Sequence, residues 1–191
     1  MIKILLLVLA LLPFPRWCAA GIPELMQGSQ KCVEKAPRYD PSYVRLDYPM
    51  GDPGWERGVC TDVVIRAFRA AGIDLQQRMH EDILQRPVAY KISRPDSNID
   101  HRRVPNLVVF FTKYAEKLPT DSQWQEGDIV VWDLRGSGYP SHIGLISGKK
   151  APDGAPLVYH HFPRVGKFSG HPAEDDCLHD WPILYHFRWK W

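Results

Sequence analysis

Apolar positions change their spacing once along the chain, and that change divides the sequence. Between Gly58 and Ala71, the residues Val59, Val63, Val64, Ala67, Phe68 and Ala71 recur at helical spacing, and Gly72 supplies a stop. His80–Gln85 predicts a short second helix before Pro87, and Asn106–Leu118 resumes a helical pattern. After Pro119 the runs shorten and become β-rich. They cover Asp128–Trp132, His142–Ser147, Leu157–Phe162 and Ile183–Trp189, separated by Gly, Pro and Asp turns. Helices first and an antiparallel meander second predict one α+β domain. Gly21–Pro53, rich in Pro, Gly and Tyr, reads as a wrapping segment with one short helix. Arg164–Asp180 has no period and reads as loop.

The first twenty residues fit neither pattern. Ile4–Leu12 is an unbroken apolar run behind Lys3, shorter than the roughly 20 residues a membrane-spanning helix needs. Cys18-Ala19-Ala20 sets small residues for a cut before Gly21. Pro13, Pro15 and Arg16 disfavour an uncleaved anchor, and bulky Trp17 disfavours acylation of Cys18. The expectation is a signal peptide over 1–20 and a single domain over 21–191. That domain would be periplasmic or secreted, with no stable membrane insertion once the leader is gone.

Composition sharpens this. Apolar residues make up 45% and charged residues 24%, which excludes wholesale disorder. The leader takes Lys3 and Arg16 and no acid, so 24 basic against 22 acidic becomes 22 against 22. A neutral domain lacks the basic excess of a nucleic-acid binder. Of four cysteines, Cys32, Cys60 and Cys177 remain. An odd count in an exported protein leaves a thiol unpaired, and a free thiol there is a liability unless buried or used.

Cys60 stands at the entrance of the first helix, behind Gly58. Unpaired N–H groups at a helix start stabilise a thiolate and can hold an oxyanion. The competing reading is a core cysteine, since Cys60 shares a face with Val63, Val64 and Ala67. Thiol catalysis also needs a base and a group to orient it. His142 begins one β-run and His160 lies in the next. If these strands pair across Gly148–Pro156, the two imidazoles become cross-strand neighbours on a sheet facing the Cys60 helix. His161 competes with His160, because adjacent strand residues point to opposite faces.

These residues carry a resemblance. Tyr48-Pro49-Met50-Gly51-Asp52, Cys60 opening a helix, Gly127–Trp132, His142-Ile143-Gly144-Leu145 and Val158-Tyr159-His160 resemble the NlpC-type branch of the papain-like cysteine peptidases. More closely, the chain from about Asp40 onward is similar to an exported bacterial family of unknown function placed in that clan. The shared runs are Val-Cys-Thr-Asp-Val-Val and Asn-Ile-Asp-His-Arg-Arg-Val-Pro-Asn. The resemblance implies a papain-like NlpC-type fold with the nucleophile helix packed on an antiparallel sheet. It further implies Cys60 as nucleophile, His142 as general base, His160 as orienting residue and Tyr48 as the tyrosine beside the nucleophile. The implied reaction is cleavage of amide bonds in peptidoglycan peptides. No cofactor is implied, and the sequence leaves the oligomeric state open.

Two departures qualify the match. Thr61-Asp62 follows the thiol where NlpC-type enzymes usually have Ser-Gly, and a long insertion separates helix and sheet. Asp62 is a candidate for substrate binding, against the reading of a surface acid that stabilises the helix dipole and projects away from Cys60. Within the insertion, Arg102 and Arg103 could hold a peptide carboxylate, against the reading of a loop in which Asp96 and Asp100 pair with them. Trp55 is a candidate for a sugar-binding groove. A Cys32–Cys177 disulfide would leave Cys60 as the free thiol; a reduced, buried Cys32 is the alternative. No metal spacing such as CxxC or HExxH is present. Two further functions use the same residues differently: a non-catalytic wall-binding or adaptor module, and a thiol acyltransferase.

Overall fold

Even and odd strand positions bury on opposite sides of one sheet, and this alternation organises the molecule. The computed structural model describes residues 21–191; the leader expectation for 1–20 lies outside them. The helices are α1 (Ile22–Lys35), α2 (Cys60–Ala70), α3 (Leu75–Gln85), α4 (Pro87–Tyr90) and α5 (Val104–Tyr114), with a single 3₁₀ turn over Asp100–Arg102. A short parallel pair, β1 (Arg38–Tyr39) and β2 (Arg57–Gly58), sets Tyr39 opposite Gly58. The main strands are β3 (Glu116–Leu118), β4 (Ile129–Trp132), β5 (His142–Lys150), β6 (Pro156–His161), β7 (Pro172–Asp175) and β8 (Ile183–Arg188). They form a six-stranded antiparallel sheet in the order β3-β8-β4-β5-β6-β7. The fold is mixed α+β.

Ile129, Val131, Ile143, Leu145, Tyr159 and Phe187 project to one side, where they form a common core with α2 and its neighbouring helices. Val130, Trp132, Ile146 and Val158 project to the other, under Cys177, Leu178, Trp181 and Phe168. Strand geometry demands this split, because successive side chains point to opposite faces.

Helix α2 runs through the centre, and every residue from Cys60 to Phe68 is buried. Buried charges on it must be paired. Arg66 therefore binds Asp52 through two bonds of 2.7 and 2.8 Å. Helix α1 packs closely on α2 at Gly28, where an added Cβ would stand 2.7 Å from Ala70 Cβ and 2.8 Å from Ala67 Cα.

The elements differ from the sequence expectation in four places. Gly21–Pro53 holds a 14-residue helix, opened by Pro23 in its first turn and by Glu24, whose carboxylate accepts the Gly21 N–H at 2.8 Å. Helix α3 starts five residues before His80, capped by Asp74, whose side chain accepts the Gln76 N–H at 3.0 Å. The Asn106–Leu118 pattern splits, with helix to Tyr114 and then β3 on the sheet edge. Strand β7 forms inside Arg164–Asp180 because it pairs with β6, not through any apolar pattern of its own.

The proposed disulfide is absent: Cys32, Cys60 and Cys177 are all free and buried. Cys32 lies in the helical core and Cys177 behind the sheet, so the sheet separates them. Among the described residues no helix is long and apolar enough to cross a membrane. Nor do three or more His, Cys, Asp or Glu side chains among them converge to hold a metal.

Candidate functional site

The Cys60 thiol sits at the first turn of α2, which is stitched tightly at its start. Asp62 accepts the Val59 N–H at 2.7 Å, and Thr61 Oγ1 donates to the Arg102 carbonyl at 3.1 Å. Cys60 is 6% exposed. Burial pushes its pKa up to about 12, while the N–H groups of Ile143, Thr61 and Cys60 itself pull the other way. Those donors are a helix start and a strand backbone converging on one sulfur. The Ile143 N–H is available because β5 and β6 pair only from Leu145 and Tyr159 onward, so the strands part beside the thiol.

His142 and His160 do come together. His142 Nε2 lies 2.8 Å from His160 Nδ1, and His160 Nε2 lies 2.9 Å from Asp175 Oδ2. With one proton on each ring, the carboxylate fixes the chain of tautomers. His160 Nε2–H donates to Asp175, so His160 Nδ1 must accept from His142 Nε2–H. That leaves the lone pair on His142 Nδ1, the nitrogen nearer the backbone. Burial, followed by the charges of His160 and His161, holds the His142 pKa well below the usual imidazole range, so the ring is neutral.

The imidazole pair does not face the α2 helix, contrary to the sequence expectation. His142 stacks on Trp132 at 5.3 Å and meets Phe162 and Trp181 edge-on, all behind the sheet. Alternation instead gives Ile143 and His161 to the helix side. Cys60 thus reaches β5 at the Ile143 N–H, one residue along from His142, and no side chain hydrogen-bonds its sulfur among the described residues.

His161 joins Tyr39 on the helix side, their rings edge-on at 5.2 Å. Its Nε2 hydrogen-bonds the Gly170 carbonyl at 3.1 Å, and its Nδ1 is buried without a partner. Burial raises the Tyr39 hydroxyl to about 12, with the nearby Cys60 and Asp62 adding to the shift. Tyr39 is therefore the tyrosine on the thiol's side of the sheet. Tyr48 is not: it is 44% exposed and packs edge-on against His80 at 5.2 Å.

The remaining candidates also move. Asp62 is no surface acid; it is 2% exposed and grips Arg102 with bonds of 2.8 and 2.9 Å. Arg102 is thereby consumed inside the protein and is not offered to a ligand. Trp55 is covered by the Arg66 guanidinium at 4.5 Å and lines a hollow with Lys31 and Arg69, rather than bordering the thiol. Two residues escaped the sequence reading. Asp175 lay in a segment without period, and Tyr39 is placed by the β1–β2 bridge and by its N–H, which donates to the Gly170 carbonyl at 3.0 Å. Cys177 joins the imidazoles from behind, its sulfur 3.5 Å from His160 Nε2.

These features define a class: an α+β domain whose central helix presents a thiol to the parted end of an antiparallel sheet, with a carboxylate-anchored imidazole pair bridging the two parted strands on the opposite face. The chain belongs to the family described as Domain of unknown function (DUF1287), which matches residues 26–189. It is 43% identical over 172 residues to the protein named "Uncharacterized protein YijF" of Escherichia coli (strain K12), covering 86% of this chain and 80% of that one. No solved structure matches it.

Proposed function

We propose that the protein is an exported thiol hydrolase that cleaves amide bonds in peptidoglycan peptides on a papain-like NlpC-type fold. The observation that carries this reading is the hydrogen-bonded series His142–His160–Asp175, which runs across β5, β6 and β7 and begins next to Ile143, whose N–H meets the Cys60 thiol. A buried, protonated thiol needs a base, and the series leaves a free lone pair on His142 Nδ1.

In this reading a water at the parted end of β5 and β6 carries the Cys60 proton to His142 Nδ1 on the other side of the sheet, and the sulfur bonds to the amide carbon. The oxyanion is held by the N–H groups that surround the thiol. His142 returns the proton to the departing amine as the C–N bond breaks. Water, deprotonated by the same ring, then releases the acid and restores the thiol. Asp175 acts through His160 as a positioning residue. Tyr48 has no part, being far from the α2 start in its contacts.

Incubating purified protein with cell-wall fragments and reading product masses tests this. Hydrolysis products from the wild type, lost in a folded Cys60→Ala variant, support it; undiminished cleavage by that variant refutes it. One observation favours a second reading, a non-catalytic wall-binding module: the thiol is 6% exposed and has no imidazole hydrogen-bonded to it. A thiol-reactive probe separates the two, because a binding module leaves Cys60 unlabelled.

A further inference from the structure

Between the α4–α5 segment and the β4–β5 loop lies a groove with a cavity volume of ≈ 860 Å³. Lys91, Arg94 and Arg103 line one side, Tyr139 and Ser141 the other. All three cations are exposed; Arg103 lies near enough to Asp96 and Asp100 for its charge to act on both, without closing an ion pair with either. This contrasts with the cations around α2: Arg66 and Arg69 are neutralised by Asp52, and Arg102 by Asp62. The one acid lining the groove is Asp100, which is 6% exposed and accepts the Asp96 N–H at 2.6 Å. Helix α5 also directs its N-terminal end here, with Arg103 as its cap and no acid in its first turn.

Both walls lead to the candidate site. Arg103 follows Arg102, whose carbonyl is bonded to Thr61 and whose guanidinium holds Asp62, the two residues after Cys60. Ser141 immediately precedes His142. A molecule lying in the groove therefore has the thiol helix tied to one wall and the imidazole strand to the other.

We propose that this groove binds the free carboxylates of an acidic peptide, with Arg94 and Arg103 as the main recognition residues and Lys91 as a supporting charge. The placement of the peptide's scissile amide rests on the hydrolase reading above; the ligand class does not. Guanidinium groups match carboxylates geometrically, and three cations against Asp100 and the neighbouring Asp96 leave a net positive cleft. Tyr139, 60% exposed, supplies a flat wall for the peptide backbone.

Calorimetry on purified Cys60→Ala protein tests the ligand class without turnover. The probes are N-acetyl-Ala-Glu, a diacid, and the uncharged N-acetyl-Ala-Gln amide. The diacid is expected to bind at least about tenfold more tightly at low ionic strength. High salt and the Arg94→Gln/Arg103→Gln double variant should each erase that preference; both side chains are exposed and unpaired, so the fold tolerates their loss. Lys35→Gln, at the end of α1, should leave it intact. Equal binding of the two probes, or a preference that survives in the double variant, overturns the proposal. Diacid binding without hydrolysis by the wild type would refute the hydrolase reading alone. Hydrolysis indifferent to peptide charge would refute the groove alone.

Discussion

Replacing Asp62 by Ala should be among the most damaging single changes in the molecule. The carboxylate holds three donors: two from Arg102 at 2.8 and 2.9 Å and the Val59 N–H at 2.7 Å. Arg102 is 6% exposed, so loss of the carboxylate would leave its guanidinium buried without a counter-charge. Breaking a buried pair by removing one partner costs about 3–5 kcal/mol, and losing a helix cap costs about 1 kcal/mol more. Against a typical domain stability of about 5–15 kcal/mol, that is about a quarter or more of the total. At about 2–4 °C per kcal/mol for a chain of this size, the melting temperature should fall by roughly 10 °C or more. Urea denaturation followed by tryptophan fluorescence measures the loss. The double variant Asp62→Asn/Arg102→Met, which removes both charges and keeps an acceptor for Val59, should recover most of it. A loss under about 1 kcal/mol in Asp62→Ala, with Arg102 intact, would refute the buried clamp.

Acid should weaken the fold through its buried imidazoles. Burial lowers His161 and His101 to about 4 from the ordinary 6.5, so below pH 6.5 the unfolded chain takes protons that the folded one refuses. Each should cost roughly 2 kcal/mol of stability by pH 5, read as a falling urea midpoint between pH 7 and pH 5; a midpoint that stays constant would contradict this. His161→Gln, which keeps a donor for Gly170, should flatten part of that slope. Separately, Gly28→Ala should cost about 1–3 kcal/mol in the same assay, because the new methyl meets backbone and Cβ atoms of α2 that cannot step aside.

What the sequence made legible follows the physics of each residue. The four β-rich runs became β4, β5, β6 and β8 because Val, Ile and aromatic residues there bury on a sheet whatever lies on either side. The pairing of His142 with His160 was legible too, since a hairpin fixes which residues are diagonal neighbours. The face they occupy was not. Alternation says that two residues agree in side, but only tertiary packing says which side receives α2. Polar β7 exists only as a partner of β6, so Asp175 carried no local signal. Asp62 was misplaced for a related reason. An acid in a first turn normally faces water, and nothing local showed that Arg102, forty residues later, returns to bury it. Helix α1 carries a start signal in Ile22-Pro23-Glu24, but Gly28 and Ser29 dilute the apolar character of its buried face.

The central claim is that Cys60 is a thiol served by His142. The most direct measurement is the alkylation rate of each cysteine with iodoacetamide, resolved by peptide mass, in the wild type and in His142→Ala. The account predicts that Cys60 reacts faster than Cys32 and Cys177 at neutral pH and loses that advantage when His142 is removed. Burial, with the Asp62 charge, holds the Cys60 thiol protonated, so fast labelling would have to come from the base. A Cys60 that labels no faster than the other two, or equally fast without His142, would contradict it.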